Sequence, residues 1–393
     1  MRRLDGFDGL RALAAMLVIA YHAGSLAGAS SAGPLWMMVA ALKAGVAVFF
    51  VISGFLLYLP YARAIRAGRP LPDWREFARR RAIRILPGYW VALAVLAAIG
   101  LADGVLTPDW WRFFGLAQIY DPSTLFKGLG VAWSLCTELT FYAMLPALSW
   151  ALARLARGRS AGEATRVQLD LVAALALGSL ALRLFMAGSA LAPVPDAHVV
   201  LATSLPGLFD WFAVGIAFAV LRTAWETGST LPAALQALAR RPGRCWLGAT
   251  VLYLLAAAAQ RGEFFLPSYG LAAHFAIGLA AGLLVLPAVL PAPLQRSRTR
   301  SFLCSRALTW LGTISYGMYL WHVPFLHLID QWAGVPRGVP AFAGLLAATL
   351  AGAICLGAAS WYLVERPAQR WLRSRRTVID DRRLPVEALE GHA

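Results

Sequence analysis

The stretch DGFDGLRALAAMLVIAYH, residues 5–22, is apolar enough to form a membrane-spanning helix, yet it carries an arginine and a histidine. Arg11 and His22 are eleven residues apart. At about 100° and 1.5 Å per residue, a helix places both side chains on one face, separated by about 16 Å along its axis. Because ionisable groups are costly in hydrocarbon, both must face a polar cavity or a partner.

The composition of the whole chain indicates an integral membrane protein. The 393 residues are 59% hydrophobic and 14% charged, against about 45–50% apolar residues in soluble domains. Apolar segments near the length needed to cross a bilayer recur from end to end. We predict an all-α, polytopic fold with about ten transmembrane helices, at residues 6–26, 36–61, 85–104, 133–153, 168–188, 204–221, 245–260, 270–290, 308–329 and 340–364.

The segments that join these spans are alternately rich and poor in basic residues. If the N-terminus is cytoplasmic, the inside segments hold most of the arginines, and the outside segments hold only Arg112, Lys127, Arg261 and Arg337. This pattern follows the positive-inside rule, so we predict that both termini are cytoplasmic and that the protein lies in the cell (inner) membrane. The lipid bilayer surface accounts for the formal net charge of +16 without any nucleic acid partner.

Neither the cysteines nor the N-terminus indicates further chemistry. The four cysteines lack the spacing of a metal site, so we expect free thiols and no bound metal. The N-terminal arginines and the apolar run after them are similar to a signal peptide. However, Arg11 and His22 would interrupt its apolar core, so we expect the first helix to be retained.

Two further residues with acid–base chemistry fall at a depth similar to that of His22. Glu138 follows the outer start of its span by five residues, and His322 follows an inner start by some fourteen. A histidine bonded to a neighbouring helix is one reading of His22, and a buried polar chamber is the other. Arg183 and Asp210 also match in depth, either as a structural ion pair or as substrate contacts.

A second basic cluster lies at the inner face, in WREFARRRAIRILPGYW, residues 74–90. Arg81 and Arg84 are three residues apart and so share a helix face, at the same mouth as Arg11. Their forked donors match the geometry of phosphate oxygens. The alternative is an interfacial helix with its arginines on lipid headgroups.

The order of several motifs resembles the membrane acyltransferase 3 family, which O-acylates sugars, polysaccharides and some antibiotics. Residues 8–22 resemble its pattern of an arginine and a histidine with ten residues between. Residues 45–57, GVAVFFVISGFLL, are similar to its Phe-Phe and Ser-Gly-Phe signature. The arginine pair of residues 79–90, the tryptophan and glutamate of WSLCTELTFY at 133–142, and the closing SYGMYLWHVPF and VERP complete the match.

The resemblance implies an acyl-CoA dependent transferase domain over residues 1–366, followed by a short cytoplasmic tail at 367–393. The donor, expected to be acetyl-CoA, would be a co-substrate bound by Arg11, Arg81 and Arg84. The acceptor would be a hydroxyl of a carbohydrate or a glycosylated small molecule. The proposed catalytic residues are His22 and Glu138, and the substrate-binding candidates are Ser53, Trp133, Arg183, Asp210 and His322.

The length of the donor agrees with this assignment. With its phosphates at the arginines, a pantetheine arm of about 15–20 Å brings the thioester to the level of His22, about 16 Å along the helix. Neutral His22 then takes the hydroxyl proton, and Glu138 orients or charges the ring. An acyl-histidine relay is an open variant. Ser53 is also a possible nucleophile, although Ser-Gly is more typical of close helix packing.

The alternative from another class is a transporter in which His22, Glu138, Arg183 and Asp210 form a proton or substrate relay. Many transporters are built from repeats, but the two halves of this sequence show none. Some members of the family carry an extracytoplasmic domain, for which the residues after the last predicted span are too few. We therefore expect the membrane domain itself, or a separate partner protein, to acylate the acceptor.

Overall fold

The computed structural model describes residues 4–28, 34–188, 195–259, 267–290, 298–334 and 338–381. Within these ranges every regular element is a helix, which confirms the all-α prediction. The long helices are α1 (Phe7–Leu26), α3 (Gly45–Arg66), α4 (Trp74–Ala98), α6 (Trp133–Ala156), α7 (Ala161–Gly188), α9 (Leu205–Glu226), α11 (Pro242–Ala259), α12 (Pro267–Val289), α14 (Arg306–Ala333) and α15 (Val339–Ser360). The shorter ones are α2 (Pro34–Ala41), α5 (Trp110–Phe114), α8 (Pro195–Thr203), α10 (Ala233–Ala239), α13 (Arg298–Leu303) and α16 (Arg366–Asp381).

Eight helical stretches of the described chain are long and apolar enough to cross a membrane. The protein is therefore a multi-pass membrane protein, as predicted. Each of the ten predicted spans overlaps one long helix, but α11 and α14 fall short of the length and composition that the other eight meet. The count of ten and the cytoplasmic position of both termini stay predictions.

Helix α1 lies inside the helical assembly and positions both of its ionisable residues. It packs against α3, α14 and α15, and its buried face includes Leu10, Ala14 and Val18. No proline interrupts it, so the helix is continuous from Arg11 to His22. The spacing predicted from the sequence therefore holds in the structure, and the side chains of Arg11 and His22 are separated by about 16 Å along one helix.

Helices α3 and α9 cross at a pair of glycines. A Cβ atom added at Gly54 would lie well inside contact distance of the carbonyl oxygen of Phe212, and one at Gly215 would meet the carbonyl oxygen of Val51. Small residues allow helix backbones to approach this closely. The helix-packing interpretation of the Ser-Gly pair is therefore confirmed for Gly54, and the crossing leaves Ser53 beside it on the inner side of α3.

The chain continues as a helix beyond the last predicted span. A π-helical turn, Trp361–Glu365, joins α15 to α16, so the segment expected as a short tail from residue 367 is helical as far as Asp381. Residues 382–393 lie outside the described ranges. Seven of the basic residues used to predict the orientation also lie outside them: Arg2, Arg3, Arg261, Arg296, Arg337, Arg382 and Arg383.

Candidate active site

A cavity of about 870 Å³ opens where the ends of several long helices meet. Its walls include six arginines, which come from α1, α3, α4, α9 and α13: Arg11, Arg63, Arg81, Arg84, Arg222 and Arg300. Ligand pockets typically enclose about 300–1,000 Å³. The structure thus joins the helix ends that the charge pattern assigns to the inner face, and we call this cavity the basic mouth.

Carboxylates hold four of the six arginines. Glu226 accepts hydrogen bonds from Arg63 and from Arg222, at 2.8 Å and 2.6 Å. Asp8 pairs with Arg11 at 3.2 Å. The hydrogen bond from Arg300 to Asp5 raises the pKa of that guanidinium. Together these pairs leave the two arginines of α4 as the cations most available to a ligand.

The Nε atom of Arg81 is buried and has no hydrogen-bond partner within the described part of the chain. A buried donor without a partner is costly, and here it lies at a cavity wall shared with other guanidiniums. An anionic ligand would satisfy it. Arg81, Arg84 and Arg11, which are the predicted donor-binding residues, therefore meet in one place.

A smaller chamber of about 220 Å³ adjoins the basic mouth. The two spaces share Arg11, Arg81 and Arg84 as wall residues. Deeper in, the chamber is lined by polar side chains from α3, α6 and α14: Ser53, Ser134, Glu138, Tyr142, Ser315, Tyr316 and Tyr319. Two more predicted site residues, Ser53 and Glu138, thus face the same space as the arginines.

Glu138 is held by hydroxyl groups and not by His22. The Ser53 hydroxyl donates to Glu138 Oε1 at 2.5 Å, and the Tyr142 hydroxyl donates to the same oxygen at 2.6 Å. No hydrogen bond joins Glu138 to His22 among the described residues. The expected pairing of these two residues is therefore corrected, because α6 turns the carboxylate toward α3 and toward its own next turn.

The ring that faces His22 belongs to another histidine. The centroids of the His22 and His322 imidazoles are 5.1 Å apart, with an angle of 55° between the planes. His322 is fully buried, and its ring lies 5.6 Å from that of Tyr319, which lines the chamber. His22 itself is not among the residues that line the chamber; the ring contacts from Tyr319 to His322 and from His322 to His22 link it to the chamber wall.

Asp210 lies in a different polar cluster. Its Oδ2 is 2.7 Å from His274 Nε2 on α12, and the Ser179 hydroxyl donates to Oδ1 at 3.3 Å. The His274 ring is buried and stacks on Trp211, with centroids 4.5 Å apart. The partner that the sequence analysis missed, His274, carried the same signal as His22, a histidine within a long apolar segment.

Arg183 does not form the predicted ion pair with Asp210. Its guanidinium instead donates to the backbone carbonyl oxygens of Ala202 and Gly207, where α8 ends and α9 begins. Neither residue lines the chamber or the basic mouth. Both therefore lie outside these two cavities, as two members of the predicted transporter relay, and their contact with substrate stays a prediction.

Trp133 is the first residue of α6 and is half-buried. It is not among the residues that line the chamber, whereas its neighbour Ser134 is. The Ser134 hydroxyl lies 2.8 Å from the hydroxyl of Tyr319. Trp133 thus sets the start of the helix that carries Glu138, and its predicted contact with substrate remains a proposal.

Within the described ranges, no three His, Cys, Asp or Glu residues come together as they would in a metal site. The polar groups of the site are instead guanidiniums at one end, a carboxylate with two hydroxyl donors in the middle, and two imidazoles beyond Tyr319. Such an arrangement can hold an anion, position a polar ester or thioester, and accept a proton.

Comparisons with known proteins agree with this chemistry. The chain matches the model of a family described as "Acyltransferase domain" over residues 4–358. It is 31% identical to the exopolysaccharide production protein ExoZ of Rhizobium meliloti, over 85% of this chain and 91% of that protein. It is 28% identical to nodulation protein 10 of Rhizobium leguminosarum, over 97% and 96% of the two chains.

A further relative is longer than this chain. The peptidoglycan O-acetyltransferase OatA of Listeria monocytogenes is 26% identical over 83% of this chain, and the match covers 50% of OatA. No solved structure matches. The family match, which spans nearly every long helix and all the residues of the chamber, shows that this chain belongs to the membrane acyltransferase 3 family.

Proposed function

We propose that this protein transfers an acyl group, and specifically acetyl, from cytoplasmic acyl-CoA to a carbohydrate hydroxyl at the cell membrane. The observation that carries the proposal is the path formed by the basic mouth and the adjoining chamber, which share Arg11, Arg81 and Arg84, up to Tyr319, whose ring lies next to that of His322. Such a path suits a donor that is anionic at one end and reactive at the other.

The basic mouth suits the phosphates of coenzyme A. Within the described part of the chain, no carboxylate forms an ion pair with Arg81 or Arg84. Their forked guanidinium donors match phosphate oxygens. A pantetheine arm of about 15–20 Å anchored there is long enough to span the distance of about 16 Å between Arg11 and His22 along α1. In this proposal the cytoplasm lies on the side of the basic mouth.

The names of the relatives indicate the acceptor. One relative is named for exopolysaccharide production and another as a peptidoglycan O-acetyltransferase. We infer that the acceptor here is a hydroxyl of an envelope or secreted polysaccharide, approaching the histidines from the end of α1 opposite the mouth.

His22 is the proposed general base. Its neutral ring takes the proton as the acceptor oxygen attacks the thioester carbonyl. The new carbon–oxygen bond replaces the carbon–sulfur bond, and the departing thiolate is protonated in turn. Such base catalysis typically contributes about 10² to 10⁴ in rate. Glu138, fixed by Ser53 and Tyr142, lies on the donor's path and contacts the thioester arm in this proposal.

The proposal is tested with purified protein in lipid nanodiscs, radiolabelled acetyl-CoA and two acceptors, an exopolysaccharide fragment and a peptidoglycan disaccharide. We expect acceptor-dependent release of free CoA by the wild type and its loss in His22→Ala. The matched control is His327→Ala, because His327 is an exposed histidine on α14. Equal activity of wild type and His22→Ala would remove His22 from its role, and labelled protein trapped without acceptor would favour the acyl-histidine variant.

A further inference from the structure

The hydrogen bonds of His322 define its tautomer. Its Nδ1 lies 2.7 Å from the backbone carbonyl oxygen of Tyr319. A carbonyl oxygen only accepts hydrogen bonds, so Nδ1 must carry the proton. In a neutral ring, Nε2 then bears the lone pair.

The surroundings of Nε2 favour this neutral form. The side chain is fully buried, and Nε2 has no hydrogen-bond partner among the described residues. A second proton there would create a buried charge whose donor has no acceptor, which is strongly unfavourable. His322 therefore presents an unused basic lone pair in the interior, with its other nitrogen fixed by the backbone.

His22 needs such a neighbour when it accepts a proton. His22 is half-buried, and the imidazolium formed in that step would be a charge within a membrane-spanning helix, which is costly unless it is shared or paired. Glu138, the carboxylate predicted to pair with His22, instead accepts hydrogen bonds from Ser53 and Tyr142. Apart from its chain neighbour Tyr21, whose ring centroid is 4.7 Å away, the ring found next to His22 is that of His322, at 5.1 Å between centroids.

We propose that the bare Nε2 of His322 accepts a hydrogen bond from the ring of His22 once His22 has taken the proton of the acceptor hydroxyl, so that the two imidazoles share that proton and work as a relay. One nitrogen of His22 accepts the hydroxyl proton, and the charge is shared with His322 until the proton returns to the thiolate of CoA. Atoms and charge balance without another reactant. The inference rests on the proposed function, and in it His322 is a positioning residue that acts through His22.

A purely structural role makes a different prediction. If His322 serves only to donate to the Tyr319 carbonyl, any side chain with a donor near the Nδ1 position will suffice. Asparagine offers its amide N–H there and has nothing at the position of Nε2. The variant His322→Asn therefore keeps the structural bond and removes the lone pair.

The experiment measures kcat and KM for acetyl-CoA in wild type, His322→Asn and the matched control His327→Asn, all in nanodiscs. We expect kcat of His322→Asn to fall by about 10²-fold or more, with KM for acetyl-CoA unchanged because the mouth arginines are intact. The control should keep the wild-type kcat. A His322→Asn variant with wild-type kcat would overturn the relay and leave the proposed function standing, whereas a wild type without transfer activity would overturn both.

A spectroscopic measurement covers the case in which His322→Asn does not fold. Nitrogen-15 NMR of histidine-labelled wild type, with His322→Gln to assign the signal, reports which ring nitrogen is protonated. A neutral His322 with protonated Nδ1 and bare Nε2 supports the relay. A proton on Nε2 contradicts it, since no lone pair would then face His22.

Discussion

Ser53 on α3 and Glu138 on α6 are joined inside the chamber by a 2.5 Å hydrogen bond. Of the described residues that line this chamber, Glu138 is the one acid, and it shares the walls with Arg11, Arg81 and Arg84. Its carboxylate is thus the negative charge that shares this chamber with three guanidiniums, of which Arg11 is also paired with Asp8. An anionic donor would compete with the Glu138 carboxylate for these guanidiniums.

The variant Glu138→Gln should therefore bind coenzyme A more tightly. Removing one negative charge from a chamber with three positive ones lowers the repulsion of the donor's phosphates, and we expect Kd to fall by about three- to tenfold, or up to about 1.4 kcal/mol. Isothermal titration with coenzyme A measures this. Ser53→Ala, which keeps the charge, is the control and should change Kd little. Weaker binding by Glu138→Gln would show that the carboxylate contacts the donor favourably.

Replacing one arginine of the basic mouth should weaken binding of the acetyl-CoA donor without a comparable loss of kcat. A charge-assisted hydrogen bond contributes about 1.5–3 kcal/mol, so we expect Arg81→Gln to raise KM for acetyl-CoA about 10- to 100-fold. Arg79→Gln is the matched control, because Arg79 lies on the same helix, is exposed and pairs with Glu76 at 3.5 Å. Initial-rate kinetics of both variants measures KM and kcat separately. An equal effect of both variants on KM would assign the basic segment to the lipid surface.

The sequence predicts how deep each residue lies along its helix, and this part of the site agrees with the structure. The continuous helix α1 keeps the spacing between Arg11 and His22, and Arg81 and Arg84 line the same cavities as Arg11. In each case the residues share one helix, or lie at helix ends that the charge pattern places on one side.

Contacts between helices could not be predicted in this way, because depth says nothing about rotation around a helix axis. Glu138 and His22 match in depth, yet Glu138 turns toward Ser53, and His22 faces His322. Arg183 and Asp210 also match in depth, but Asp210 pairs with His274 on α12. A single sequence does not contain the rotation that decides between such partners.

The crossing of α3 and α9 should be intolerant of one added methyl group. A Cβ at Gly54 would overlap the carbonyl oxygen of Phe212, so we expect Gly54→Ala to destabilise the protein by about 1–3 kcal/mol. Gly178→Ala is the control, since Gly178 lies within α7 with nothing near its Cβ position. Thermal unfolding in nanodiscs should show a lower Tm for the first variant alone. Equal Tm values would mean that the helices separate freely.

The polar cluster around Asp210 should affect stability and not donor binding. Asp210→Leu leaves the buried His274 without its partner, at a cost of about 1–3 kcal/mol, whereas Asp210→Asn can still accept a hydrogen bond. We expect a lower Tm for the leucine variant, a smaller change for asparagine, and an unchanged KM for acetyl-CoA in both. A raised KM at normal Tm would return Asp210 to the substrate site.

The most direct test of the central claim is the sidedness of the reaction. In proteoliposomes of uniform orientation, radiolabelled acetyl-CoA is supplied only on the side of the basic mouth, and a peptidoglycan disaccharide only on the other side. Our account predicts acetylated disaccharide in this arrangement and its loss in His22→Ala. Product formed only when donor and acceptor share one side of the bilayer would show that the acyl group does not pass inward from the arginines to the histidines.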